Sequence, residues 1–541
     1  MNIYSMLSEE PIWLSLLITK LKIVHSITLS VSTNFGMKDV ALSFGDDVES
    51  VCFLSGWGMK PKEQCNKDVH LLVQNGSLSP TDREIFYPKI PVNSGSKPPV
   101  YTLTIKGCQE HCGPSWTPFP SEKIGRKLTT WLVPILVLVG NMHLAALGYR
   151  TTFVTVMHLL GDPVDSIWSL LTKLEITRRS RVWVAQTATR KVPIKAVAAV
   201  VAAMEELDGF DHHVDIIQPY LRPHDRQDWF DDACKEAAAE LADNTVDESV
   251  RTYLAILGYL FTVSCVFIDA ADPGSEKPGT RLAFCMLFSW LIPTVMLSAV
   301  TRRFCASGSS GRIMERFQQA LDHPCACDPE RAMESPQVDT DPSLRKNNHA
   351  APPWAGAIYT YLPDKQVFAA GNSDRHPLLL LFFALVPVAL STACACTISY
   401  LTPTVGIGCR SIAQLIIGLL WILSALMTFL LWNLRFMTEK NCWRIVLAKD
   451  SLIAIPGWII AVLANVGVFN SCWCSSGIYT RGYENAHIAL TNDEGQGNNS
   501  IWKYPAVVFA NVGLLIVWVL GMQYKGRLYK REAGERRKSY K

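Results

Sequence analysis

The chain has 541 residues, of which 49% are hydrophobic and only 18% charged, and its mean hydropathy is +0.15. That balance excludes an ordinary soluble multidomain protein. A net charge of +3 is too small to attract nucleic acid by bulk electrostatics, so the placement of the charges matters more than their sum.

In chain order, residues 1–32 hold the apolar run "PIWLSLLIT", a weak signal sequence. Glu9 and Glu10 stand where a basic leader is expected, and Lys20 and Lys22 interrupt the core. A segment at 33–127 carries Cys52, Cys65, Cys108 and Cys112, an even set suited to disulfides. Uncharged windows able to cross a bilayer follow at 128–147, 253–268, 282–300, 378–400, 412–434, 452–469 and 504–522. None contains Asp, Glu, Lys or Arg, and His143 is their one ionisable histidine. The expected fold is an all-α transmembrane helix bundle of about seven spans, with a small disulfide-bonded N-terminal outer segment and a helical cytosolic loop.

Basic residues fall in alternate loops, which sets orientation. Arg178, Arg179, Arg181 and Arg190 follow the first span, Arg302 and Arg303 the third, and Arg435, Lys440, Arg444 and Lys449 lie between the fifth and sixth. The tail at 523–541 is also strongly basic. These segments are expected in the cytosol, which puts 33–127 and the loop 470–503 outside. The sequons at Asn75 and Asn498 both fall on that outer side and are glycosylation candidates. The outer cysteines should then be oxidised in a secretory compartment, with the plasma membrane or an endomembrane as destination. Cys409, Cys472 and Cys474 also fall outside, where they could tie outer loops together.

The loop 148–252 opens with "LLGDPVDSIWSLLTKLEITRR". Asp162 is placed to cap a helix whose first residue is Pro163. Val164, Ile167, Trp168, Leu171 and Leu174 recur at helical spacing, and Arg178, Arg179 and Arg181 follow. Such a stripe suits a membrane-surface helix with arginines near anionic head groups. It suits equally a helix packed against other cytosolic helices, and periodicity does not separate the two. Further on, 205–248 holds fourteen acidic and three basic residues, the pattern of a solvated helical face or, less commonly, a surface for an unknown protein partner. The loop 301–376, rich in Ser, Pro, Asp and Asn, reads as mostly disordered linker.

Trp131, Pro134 and the run Leu160 to Leu174 resemble a group of multi-pass membrane proteins of filamentous fungi, which share a W-x-x-P span followed by L-G-D-P-[VI]-D-S-x-W-S-L-L-T-K-L. The resemblance implies a membrane bundle and assigns no activity.

No phosphate-binding loop, zinc-protease helix or nucleophile elbow occurs, and no catalytic, cofactor-binding or metal-ligating residues are assigned. The windows hold no ionisable side chain apart from His143, which counts against an ion or proton pathway. The expected partner is the lipid bilayer. The expected function is non-enzymatic sensing, adhesion or scaffolding; the alternative is a transporter or channel for a neutral solute, suggested by Asn141, Asn465, Asn511 and the prolines within the spans.

Overall fold

The computed structural model describes residues 60, 62–87, 101–113, 132–142, 149–205, 216–222, 228–243, 249–271, 278–300, 307–322, 377–402, 406–433, 439–466, 469, 471–490 and 504–522. The weak signal sequence, Cys52, the sequon at Asn498 and the basic tail lie outside the described residues. All the described residues belong to the unit Trp57–Lys541.

The architecture is helical with one two-stranded sheet. Five helices are long and apolar enough to cross a membrane, with candidate spans at Leu282–Ala299, Leu379–Leu401, Ser411–Leu430, Arg444–Ala464 and Tyr504–Met522. Three hydrophobic cores divide the structure.

The smallest core holds α1 (Lys62–Gln74), β1 (Thr102–Thr104) and α2 (Ile105–Cys112) together with the loop before the last span. Thr104 caps α2 by accepting from Gly107 N at 3.0 Å. Strand β1 pairs antiparallel with β2 (His487–Ala489), with Leu103 opposite Ile488. That pairing explains a disulfide pattern the sequence leaves open. Cys65 bonds Cys112, but Cys108 reaches Cys472, and Cys409 bonds Cys474. The N-terminal cysteines are therefore not a closed set, because the strand pair brings a loop from the far end of the chain against α2.

The largest core is the bundle. It takes in the segment 132–142, α3 (Tyr149–Gly161), the first half of α4 (Pro163–Thr187), α7 (Ser249–Ala271), α8 (Pro278–Leu287) and α9 (Leu291–Val300), α11 (Pro377–Leu401), α12 (Cys409–Asn433), α13 (Glu439–Val466) and α14 (Tyr504–Met522). The span Leu282–Ala299 is central: 89% of it is buried, against 28% to 50% for the other four. Those others present residues such as Phe382, Leu452 and Phe509 outward, as lipid-facing helices must. The central helix breaks at 288–290 because Pro293 lacks the N–H that would bond Ser289 O. The chain tightens instead, with Ser289 N bonding Met286 O and Ile292 N bonding Ser289 O, each at 3.0 Å.

The third core joins the second half of α4 to α5 (Ile194–Glu205), a 3-10 turn (Gln218–Leu221), α6 (Asp228–Asp243) and α10 (Ser307–Asp322). Helix α10 corrects the disordered reading of the loop 301–376 over its own length. Ile313, Met314, Phe317 and Leu321 form an apolar stripe that is buried in this core. The second loop thus completes a domain begun by the first.

Candidate functional site: a charged corner inside the bundle

The membrane-surface reading of α4 is corrected by its burial. Val164 and Ile167 are fully buried, Trp168 and Leu171 nearly so, and Leu174 packs against the bundle core. The opposite side is no more exposed: Asp165, Ser166, Ser169 and Thr172 are buried as well. A helix wrapped on all sides cannot lie on a lipid surface. Arg178 and Arg179 fold back on Glu175, Arg179 Nε at 3.2 Å, instead of extending to head groups.

On its polar side, at Asp165, α4 meets a cluster of ionisable groups. Helix α3 ends at Gly161, where any Cβ would collide with the backbone of Asp450, so only glycine lets α3 approach α13 this closely. The orphaned carbonyl of Leu160 accepts the indole N–H of Trp421 from α12 at 2.9 Å. Asp162 then caps α4, its Oδ1 accepting from Asp165 N at 3.0 Å.

The other carboxylate oxygen of Asp162 faces two spans. Its Oδ2 accepts from Ser424 Oγ at 2.9 Å and Thr428 Oγ1 at 3.0 Å, both on α12, and from Lys449 Nζ on α13 at 2.8 Å. Lys449 Nζ also lies 2.7 Å from Asp450 Oδ1. Asp450 Oδ2 is paired with His158 Nδ1, and the other ring nitrogen, Nε2, lies 3.0 Å from Asp165 Oδ2. An imidazole between two carboxylates is held as the doubly protonated cation, because only that form has an N–H for each. The five groups then comprise three carboxylates and two cations, Lys449 and His158. The surplus negative charge sits at the N-terminus of α4, where the helix dipole favours it.

This corner overturns the expectation that the spans lack ionisable groups. Lys449 and Asp450 lie inside the candidate span Arg444–Ala464. The uncharged window at 452–469 starts too late, since α13 runs unbroken from Glu439. Two signals in the sequence were available: Asp162 and Asp165 flank a helix start, and the pair "KD" ends one residue before an apolar window.

A second polar node lies at the break of the central helix. Ser391 on α11 and Asn511 on α14 both reach Ser289, the hydroxyl pair at 2.8 Å and Asn511 Nδ2 at 2.9 Å. Tyr259 donates to Cys285 O at 2.6 Å. Asn141 instead bonds back to Val137 O on its own helix, and the side chain of Asn465 lies outside the described residues. Asn75 is exposed in the turn after α1. Among the described residues, no group of three or more His, Cys, Asp or Glu side chains is arranged to hold a metal ion.

The arrangement can therefore hold a buried cation, hold protons on named side chains and lock α3, α4, α12 and α13 together. Comparison with protein-family models, with curated proteins and with solved structures gave no match to the chain.

Proposed function

We propose that this integral membrane protein is a non-enzymatic coupling device that transmits the state of a disulfide-braced outer segment to a helical cytosolic domain, as a sensor or scaffold does. The reading takes seven spans, adding the segment around 132–142 and α7 to the five long apolar helices, and a secretory route to the plasma membrane. Exposed Leu254, Leu257 and Phe261 support a lipid-facing α7. The basic loops and the sequons support the orientation.

One observation carries the coupling. Helix α4 belongs to two cores, its first half to the bundle and its second half, through Trp183 and Val184, to the α5–α6–α10 domain. Its N-terminus is gripped by α12, whose first residue, Cys409, is bonded to Cys474 in the braced outer loop. A displacement at the brace is thus handed along α12 to the charged corner and on through α4.

The test is hydrogen exchange on the full chain in lipid nanodiscs. Asp162→Ala, which touches neither α5 nor α6, should speed exchange in both about tenfold. Unchanged protection there would end the coupling reading. The alternative, a path for a neutral solute, is favoured by the broken central helix and its Ser289, Ser391 and Asn511 node.

A further inference from the structure

We propose that the oxygens around Lys449 Nζ form a site for a monovalent cation of ammonium or potassium size, in which the chain's own lysine is the resident ion. Four oxygens surround the nitrogen: Asp162 Oδ2 at 2.8 Å, Asp450 Oδ1 at 2.7 Å, Ser424 O at 3.2 Å, and Ser424 Oγ closer still. An ammonium has only three N–H groups to aim.

The surplus is visible in the bonding. Asp450 Oδ1, on a fully buried side chain, lies 2.7 Å from the cation and shares its three N–H groups with Asp162 Oδ2 and both oxygens of Ser424. Four oxygens cannot each receive an N–H of their own, whereas ion coordination, which ranks oxygens by distance and charge, takes all four. Carboxylate, hydroxyl and backbone carbonyl oxygens, with neither thiolate nor imidazole in the shell, are the donor set of a hard cation. Three of the four distances, 2.7 to 3.2 Å, are longer than the roughly 2.0–2.6 Å at which magnesium and calcium take oxygen ligands, which suits a large monovalent ion.

The lysine also explains why the shell can stay closed. Its stem enters from α13, while the oxygens come from the α3–α4 corner, α12 and α13 itself, so the tethered ion ties all of them without a mobile ligand. Shortening that side chain leaves the same oxygens around a space that a free ion fills. This holds whether or not the coupling reading survives, since it concerns occupancy of the shell and not transmission through α4.

The experiment is thermal unfolding of the full chain in nanodiscs, followed by tryptophan fluorescence, in potassium, sodium or choline chloride at equal ionic strength. The wild type should unfold at the same temperature in all three. Lys449→Ala should unfold several degrees lower in choline, recover most of that loss in potassium, and recover less in sodium. Adding Asp162→Asn to Lys449→Ala should abolish the potassium effect. Lys449→Gln, whose amide fills most of the space, gives the same comparison over a smaller range should the alanine variant not be recovered. Indifference of the recovered lysine variant to potassium overturns the site. So does an equal potassium effect on the wild type, which would mark a general salt response.

Discussion

The disulfide-linked segment and the α5–α6–α10 domain solve one problem in opposite ways. The first has a small core and two short strands, and three disulfides staple it to itself and to the loops of the bundle. The second has no disulfide among its described residues, and its one described cysteine there, Cys234, is a buried thiol whose pKa is driven far upward by burial. It is held instead by a wider apolar core and by Arg190, which clamps Asp231 with two bonds of 2.7 and 2.8 Å. A segment too small to exclude much water needs covalent closure, whereas helices that bury whole stripes do not. The difference also matches the redox environments expected on the two sides of the membrane.

The comparison breaks most sharply where each side loses its own kind of support. Phe230 is fully buried, stacks on Tyr220 at 4.8 Å and contacts Phe317. Phe230→Ala should destabilise the helical domain by about 3–5 kcal/mol. Proteolysis should then cut within 194–243 while the segment 62–112 stays resistant. The converse variant, Cys108→Ser with Cys472→Ser, should cost about 2–4 kcal/mol on the other side. Cleavage would then appear between α1 and α2 and leave the helical domain intact. If either variant loosens both regions equally, the two are one cooperative unit and the contrast fails.

Much of this was legible in the sequence, and most of the failures share a cause. The cap at Asp162, the apolar stripe of α4 and most of the spans follow from local rules, because capping and periodicity are set by neighbours a turn away. What covers a stripe is not local. Val164 and Trp168 have the same spacing whether they meet lipid, a soluble helix or a bundle, and only the structure shows them inside the bundle core. The same limit hid the charged corner. Asp162 and Lys449 are 287 residues apart, and each reads alone as a boundary residue. Cys108 and Cys472 are likewise joined across 364 residues by a strand pair too short to announce itself. Helix α10 failed for a different reason: its stripe is local, but a Ser/Gly-rich start concealed it.

The smallest expected effect sharpens the comparison along α4, where the helix passes from the bundle into the helical domain. Glu175 is buried at that passage, and burial alone would raise its pKa. The bidentate contact from Arg178 and the bond from Arg179 outweigh burial, and the carboxyl is held below its ordinary range. A carboxyl with a lowered folded pKa binds its proton more readily when unfolded. Its contribution is therefore complete above the ordinary carboxylate range and is lost as pH falls through the depressed folded value. Glu175→Gln should cost about 1 kcal/mol at neutral pH, because the amide keeps the size and one acceptor of the side chain and loses only the charge-assisted part of its bonds. That gap from the wild type should close in acid, because the wild type then carries a protonated, neutral side chain as well. Thermal unfolding of both proteins from pH 7 downward reads this directly. A gap that stays constant with pH would mean that Glu175 acts through packing alone, and that α4 crosses between the two cores without an ionic joint.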